Sequence, residues 1–188
     1  MKLPIYLYGH PVLRKVSADI SADYPGLSQL LADMYETMYA SDGVGLAAPQ
    51  IGRNDRIIVI DASPLAETMH ELDGVKLTLI NPRLEVLDDG PRETRGEGCL
   101  SLPGLSENVT RTEKVRLQWL DENFEAHDRV FEGFLSRIIQ HEYDHLEGHV
   151  YIDHISPIRK QLIRRKLSNI VEGKVRCDYP VRYAPRKK

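Results

Sequence analysis

The sequence predicts one α+β domain, with antiparallel or mixed sheets around a central helix that carries an H-E-x-x-H motif, and a further helix towards the C-terminus. Three observations carry that expectation. Apolar residues recur at helical spacing in three separate stretches, strand-like runs and alternation lie between them, and 188 residues suffice for one core without disulfide or metal support for folding. The domain is expected to span 1–188, with 171–188 as an extended, loosely held tail ending in Arg186, Lys187 and Lys188.

In chain order, Leu27, Leu30, Leu31, Met34, Tyr35 and Met38 fall on one helical face, with Ser28 available as N-cap. The stretch GVGLAAPQIG at 43–52 is punctuated by glycines and Pro49, which suits neither a regular helix nor a central strand, and reads as a shaped loop. Ile57 to Ile60 and Leu77 to Ile80 are short apolar runs, closed by Asp61-Ala-Ser-Pro and by Asn81-Pro82, and are expected to be buried strands. Val115 to Leu120 and His127 to Phe131 alternate around Asp121-Glu-Asn-Phe, the pattern of an antiparallel hairpin. Helical spacing returns with Phe134, Leu135, Ile138, Ile139 and Leu146, and ends at Gly148. Ser156-Pro157 then opens a last helix to about Val171, with Ile158, Leu162, Ile163, Leu167 and Ile170 as its apolar stripe.

Composition narrows the function classes. A net charge of −3 lacks the basic excess of a chain that works on nucleic-acid backbone, so DNA is not an expected partner. No apolar run reaches the roughly 20 residues of a membrane helix. The N-terminus has no cleavage signature of a secretory leader, so the expectation is a cytoplasmic protein without a membrane partner. Of the two cysteines, Cys99 sits among glycines in RGEGCLSLPG, whereas Cys177 lies in a charged tail and reads as packing.

Chemistry concentrates in Gln140-His141-Glu142-Tyr143-Asp144-His145. On a helix the two imidazoles stand one turn apart, about 5–6 Å between Cβ atoms, so a single ion can bridge them. Glu142 then projects beside the ion, where it can move a proton between water and a leaving group. On their own the histidines are as well explained by pairing with acidic neighbours. A catalytic ion also needs a third ligand and an open position. The metzincin arrangement would require a histidine where Tyr151 stands, His149 follows the helix-ending Gly148, and Glu172 is the one carboxylate late enough for a thermolysin-like layout. Cys99, flanked by glycines that let a thiolate approach from a strand end, is the favoured candidate. A zinc endopeptidase would leave Cys99 without a role, and a purely structural metal would have four protein ligands and no free carboxylate beside it.

Three segments together, GVGLAAPQIG at 43–52, EGCLSLPG at 97–104 and QHEYDHLEG at 140–148, resemble the motifs of the peptide deformylase family, in order and intact. Looser similarity runs from YGHPVLRK near the N-terminus through the final helix. The resemblance implies a metal-dependent hydrolase that removes the formyl group from the starting methionine of nascent peptides. It implies one divalent ion on Cys99, His141 and His145, with Fe(II) the usual ion and Zn, Ni or Co able to take its place. By the same resemblance Glu142 is general acid and base, and the Gln50 amide and Leu100 N–H stabilise the oxyanion. Val44, Phe134 and Ile138 correspond to the methionine pocket, and Gly45 meets the peptide backbone. The final helix, with Arg159, Lys160, Arg164, Arg165 and Lys166, corresponds in some relatives to a ribosome-docking element, although a solvated basic face explains it equally well. Two departures stand out: His10 replaces a more often acidic residue, and His154 stands where arginine is frequent.

Overall fold

The computed structural model describes residues 1–87 and 90–185. In chain order the elements are β1 (Ile5–Tyr6), α1 (Leu27–Ala40), β2 (Gly45–Ala47), β3 (Ile57–Asp61), β4 (Lys76–Val86), β5 (Arg92–Cys99), β6 (Leu102–Thr112), β7 (Lys114–Leu120), β8 (Ala126–Glu132), α2 (Gly133–Leu146), α3 (Pro157–Val171) and β9 (Val181–Arg182). Five strands form an antiparallel sheet in the order β2-β3-β4-β7-β8, β5 and β6 form a separate hairpin, and β1 pairs with β9 in parallel. This is the expected single α+β domain. Among the described residues no helix is long and apolar enough to cross a membrane.

The continuous apolar run of β3 has a simple cause: both of its faces are covered. Ile57 and Val59 join Leu30, Leu31, Met34 and Met38 of α1 in one core. Ile58 and Ile60 join Ile138, Ile139 and Leu146 of α2, with Val115, Leu117, Trp119 and Phe131 of the β7–β8 hairpin, in the other. The period-2 alternation of a strand thus places α1 and α2 on opposite sides of the sheet.

Several local expectations differ from what forms. Asn81-Pro82 does not end β4; the register against β7 shifts between Ile80 and Arg83, Asn81 takes a φ of 50°, and its side chain pairs with both backbone groups of Ile20 at 2.9 and 2.8 Å. The proline, which has no N–H to give the ladder, is absorbed in a bulge. Residues 43–52 are not all loop: Gly45–Ala47 is an edge strand on β3, and Ala48–Ile51 is a tight 3₁₀ turn with Pro49 in its first positions. Gly26, not Ser28, caps α1, in a left-handed conformation. Ser156 caps α3 as expected, accepting from the Arg159 N–H at 3.3 Å. The α3 stripe is narrower than its spacing suggests: Ile163 and Ile170 are buried and Leu167 partly so, while Ile158 and Leu162 are 75% and 65% exposed.

The segment after α3 is fixed to the body of the protein as far as it is described. Ile5 N–H donates to Pro180 O at 2.8 Å and Leu7 N–H to Arg182 O at 2.9 Å, and Val175, Cys177, Tyr179 and Val181 pack against the core. The expectation of a loose Arg186-Lys187-Lys188 end lies outside the described residues.

Candidate functional site

Helix α2 sets His141 and His145 one turn apart, their ring centroids separated by 5.4 Å. The helix is held by Gln140, whose buried amide donates to Thr112 O at 2.9 Å and to Ser136 Oγ at 3.0 Å. Against it comes the end of β5, so that Cys99 Sγ lies 3.3 Å from His145 Nε2. One potential ligand atom from each of Cys99, His141 and His145 lies within 4.8 Å of the others, the single such group among the described residues.

Orientation of His141 comes from a buried charge network. His141 Nδ1 is 2.9 Å from Glu97 Oε2, which leaves Nε2 for an ion. Glu97 in turn accepts from Arg111 at 2.6 and 3.0 Å and from Arg137 at 2.7 Å. Arg137 also reaches Val109 O and Glu93 O at 3.0 and 2.7 Å, and Arg111 reaches Asp144 at 2.9 Å. His154, the departure from the more usual arginine, closes the chain with Nε2 2.7 Å from Asp144. Burial alone would raise the Glu97 carboxyl, but His141 and Arg111 outweigh it and hold the group well below the usual carboxylate range.

The residues fit one divalent ion. Burial would raise the Cys99 thiol, yet His145 and His141 beside it bring it down to about 5, which favours the thiolate that metal ligation needs. Three N and S donors leave the fourth position of a catalytic site open. Glu142 is buried, Oε2 of its carboxylate has no hydrogen-bond partner, and burial pushes the group up against the opposing pull of His141 and His145. Gly45 makes room for it, since a Cβ there would stand 2.5 Å from Glu142 Oε1.

Gln50, 1% exposed, is fixed at one end: its Oε1 accepts from the Ala47 N–H at 2.9 Å, so Nε2 faces Cys99 Sγ at 3.5 Å and Ser101 Oγ at 3.4 Å. Leu100 and Ser101 form the tight turn from β5 to β6, across which Cys99 pairs with Leu102. The motif residues line a cavity of about 730 Å³, within the usual size range of ligand pockets. Val44, Gly45, Gln50, Cys99, Leu100, Phe134, Ile138, His141 and Glu142 all contribute to its walls, and His145 stands just behind them in the ligand group.

All ten residues singled out from the sequence are therefore brought together. Sequence reasoning passed over Glu97, which orients His141, Arg111 and Arg137, which hold Glu97, and Arg176, Asp178 and Tyr179, which line the same cavity; Cys177, expected to pack, packs against the core and also lines that cavity. A signal for these tail residues was present: Val175, Cys177, Tyr179 and Val181 alternate with exposed Arg176, Asp178, Pro180 and Arg182.

Comparisons with known proteins bear on the chain as a whole. The model of the polypeptide deformylase family matches residues 2–161. The chain is 46% identical to the peptide deformylase of Flavobacterium johnsoniae, covering 100% of this chain and 99% of that protein, and 44% identical to that of Flavobacterium psychrophilum, covering 100% of both. Among solved structures, it resembles the peptide deformylase of Thermus thermophilus with a TM-score of 0.79 at 36% identity, covering 90% of this chain and 97% of that one. The plant enzyme is similar at a TM-score of 0.81 and 32% identity, covering 92% and 90%.

Proposed function

The chain belongs to the polypeptide deformylase family, which removes the N-formyl group from nascent chains, and we propose that Cys99, His141 and His145 hold its ion, with Glu142 as general acid and base. The observation that carries this reading is the juxtaposition of three donors within 4.8 Å and the unpartnered, buried Oε2 of Glu142. Bound there, a divalent ion supplies Lewis acidity and lowers the pKa of water. Fe(II) is our choice of resident ion; the mixed thiolate and imidazole set also suits Zn, Ni or Co.

In the reaction the oxygen of water bonds to the formyl carbon and the C–N bond breaks, giving formate and a free amine. Glu142 takes the proton from water and delivers it to the departing methionine nitrogen. Negative charge meanwhile builds on the formyl oxygen, where Gln50 Nε2 and the Leu100 N–H donate. A preorganised donor of this kind contributes about 3 kcal/mol. Because Gln50 Oε1 is committed to Ala47, its amide nitrogen, which faces Cys99 Sγ and Ser101 Oγ, is the end turned towards the site.

Val44, Phe134 and Ile138 form the apolar slot for an unbranched thioether side chain. Gly45 lies on β2, the edge strand of its sheet, so an extended peptide can add along the backbone there and be read independently of its sequence. The whole chain, 1–188, acts as one catalytic domain, with 171–188 as its extended tail. The cytoplasm, where nascent chains emerge, is the compartment that this substrate implies. Exposed Arg164, Arg165 and Lys166 on α3, beside exposed Ile158 and Leu162, support docking of that helix on the ribosome.

The test is formate release from N-formyl-Met-Ala-Ser by protein prepared without oxygen and loaded with Fe(II) or Ni(II), next to Glu142→Ala. Release that disappears in the variant is expected. No release from fully loaded wild-type protein would overturn the assignment and direct attention to peptide-bond cleavage.

A further inference from the structure

The family model ends at residue 161, yet the chain continues past α3 and returns to the cavity, where residues 176–179 form part of the wall. The contact with the most direct chemical consequence is that of Tyr179, whose hydroxyl donates to Leu100 O at 2.8 Å. Leu100 is one of only two residues in the turn that follows Cys99. The carbonyl of the other, Ser101, accepts from the Tyr8 N–H at 2.8 Å. Both carbonyls of the turn are therefore held from outside the hairpin, one by the tail and one by the N-terminal segment. These two segments are themselves joined through β1 and β9.

We propose that Tyr179 is a positioning residue for the deformylation reaction: by holding the Leu100 carbonyl it fixes the Leu100–Ser101 peptide plane and so, across Leu100 Cα, restrains the adjoining Cys99–Leu100 plane, whose Leu100 N–H is aimed at the formyl oxygen. This rests on the oxyanion role assigned to Leu100 above. The Ser101 half of the turn is held by the Tyr8 N–H and by Gln50 Nε2 at 3.4 Å, so Tyr179 bears on the Leu100 half. A rotation of its peptide planes moves the N–H off a target that tolerates little misalignment, since hydrogen bonds weaken steeply as they bend. The interaction matters where charge develops, so its loss lowers kcat and leaves KM largely in place. The clamp also gives the C-terminal segment a function that the catalytic core alone does not supply.

The experiment compares Tyr179→Phe with Tyr183→Phe in the full chain, loaded with Ni(II), on N-formyl-Met-Ala-Ser. Tyr183 is the control because its hydroxyl donates within the tail, to Val175 O at 3.0 Å, and not to the turn. Tyr179→Phe keeps the ring and its packing. Its kcat is expected to fall about 3- to 10-fold, the worth of one hydrogen bond, with KM, metal content and melting temperature close to wild type. Tyr183→Phe is expected to match wild type. A wild-type kcat in Tyr179→Phe would overturn the proposal, as would equal losses in both variants, which would mean only that the tail had loosened. An inactive, metal-loaded wild-type protein would instead bring down the underlying deformylase assignment of the site, and is seen before either variant is assayed.

Discussion

Helix α2 brings His141, Glu142 and His145 to the site through local geometry, whereas the turn from β5 to β6 brings Cys99 and Leu100 there through contacts made by both ends of the chain. In the helix, positions one turn apart share a face by construction, and one sequence window contains everything required. The turn has no such internal rule. Its carbonyls are held by Tyr8 and Tyr179, residues 171 apart, as 179 − 8 shows, and the hairpin leading to it is anchored by Arg137 from α2. The comparison teaches that catalytic groups of one site can differ in what their placement depends on, and that removing them should fail in different ways.

The largest effect separates the two segments directly. Glu142→Ala should lower turnover by about 10²- to 10⁴-fold, the usual worth of general acid–base catalysis, while the ion stays bound. Cys99→Ala should lose the ion itself, since only two protein ligands then remain. Metal analysis of both purified variants beside their formate release distinguishes them. Retained metal and retained activity in Cys99→Ala would remove the thiolate from the ligand set.

Glu97 links the two segments, because it stands on β5 and orients a histidine of α2. Glu97→Gln should weaken metal binding by about 10- to 100-fold, the effect expected of a lost partner behind a ligand. It should also destabilise the fold by about 3–5 kcal/mol, because Arg111 and Arg137 are left buried with an incomplete counter-charge. Competition with a chelator and a denaturant titration measure the two effects separately. If metal affinity is unchanged, Glu97 supports only the fold.

The same division explains what could be read from the sequence. α1, α2, α3 and the β7–β8 hairpin announce themselves by period and punctuation, and H-E-x-x-H is legible because its function is written at helical spacing. The β5–β6 hairpin is less visible. Its first strand, Arg-Glu-Thr-Arg-Gly-Glu-Gly-Cys, buries Glu97 rather than an apolar face, so there is no hydrophobic alternation to detect. Glu97 looks like any surface carboxylate until Arg111 of β6 and Arg137 and His141 of α2 converge on it. Cys99 is reached from its glycine-rich context and the need for a third ligand, Gln50 only through the motif resemblance, and their separation of 49 residues gives no geometric hint that they meet at 3.5 Å. Asn81-Pro82 was read as a strand end because the pairing of Asn81 with Ile20, which turns it into a bulge, is likewise non-local.

A smaller effect is expected where the edge strand presses on the helix. Gly45 lies opposite Ile60 in the ladder, with an ordinary strand neighbour on one side and Glu142 on the other. A methyl group there would meet Glu142 Oε1 at 2.5 Å and the carboxyl carbon at 2.8 Å, closer than real Cβ contacts allow. The carboxylate is the movable partner, but it is buried, and moving it turns the unpartnered Oε2 away from where water must be met. Gly45→Ala should therefore cost about 1–3 kcal/mol in stability, the usual penalty for overfilling a packed site. Turnover should fall while the ion is retained, because the three heavy atoms nearest the added methyl all belong to Glu142. Thermal unfolding, metal analysis and formate release on one preparation decide it. Loss of the ion in Gly45→Ala would show that strand and ligand set are coupled, and that α2 is less independent of its surroundings than its local geometry suggests.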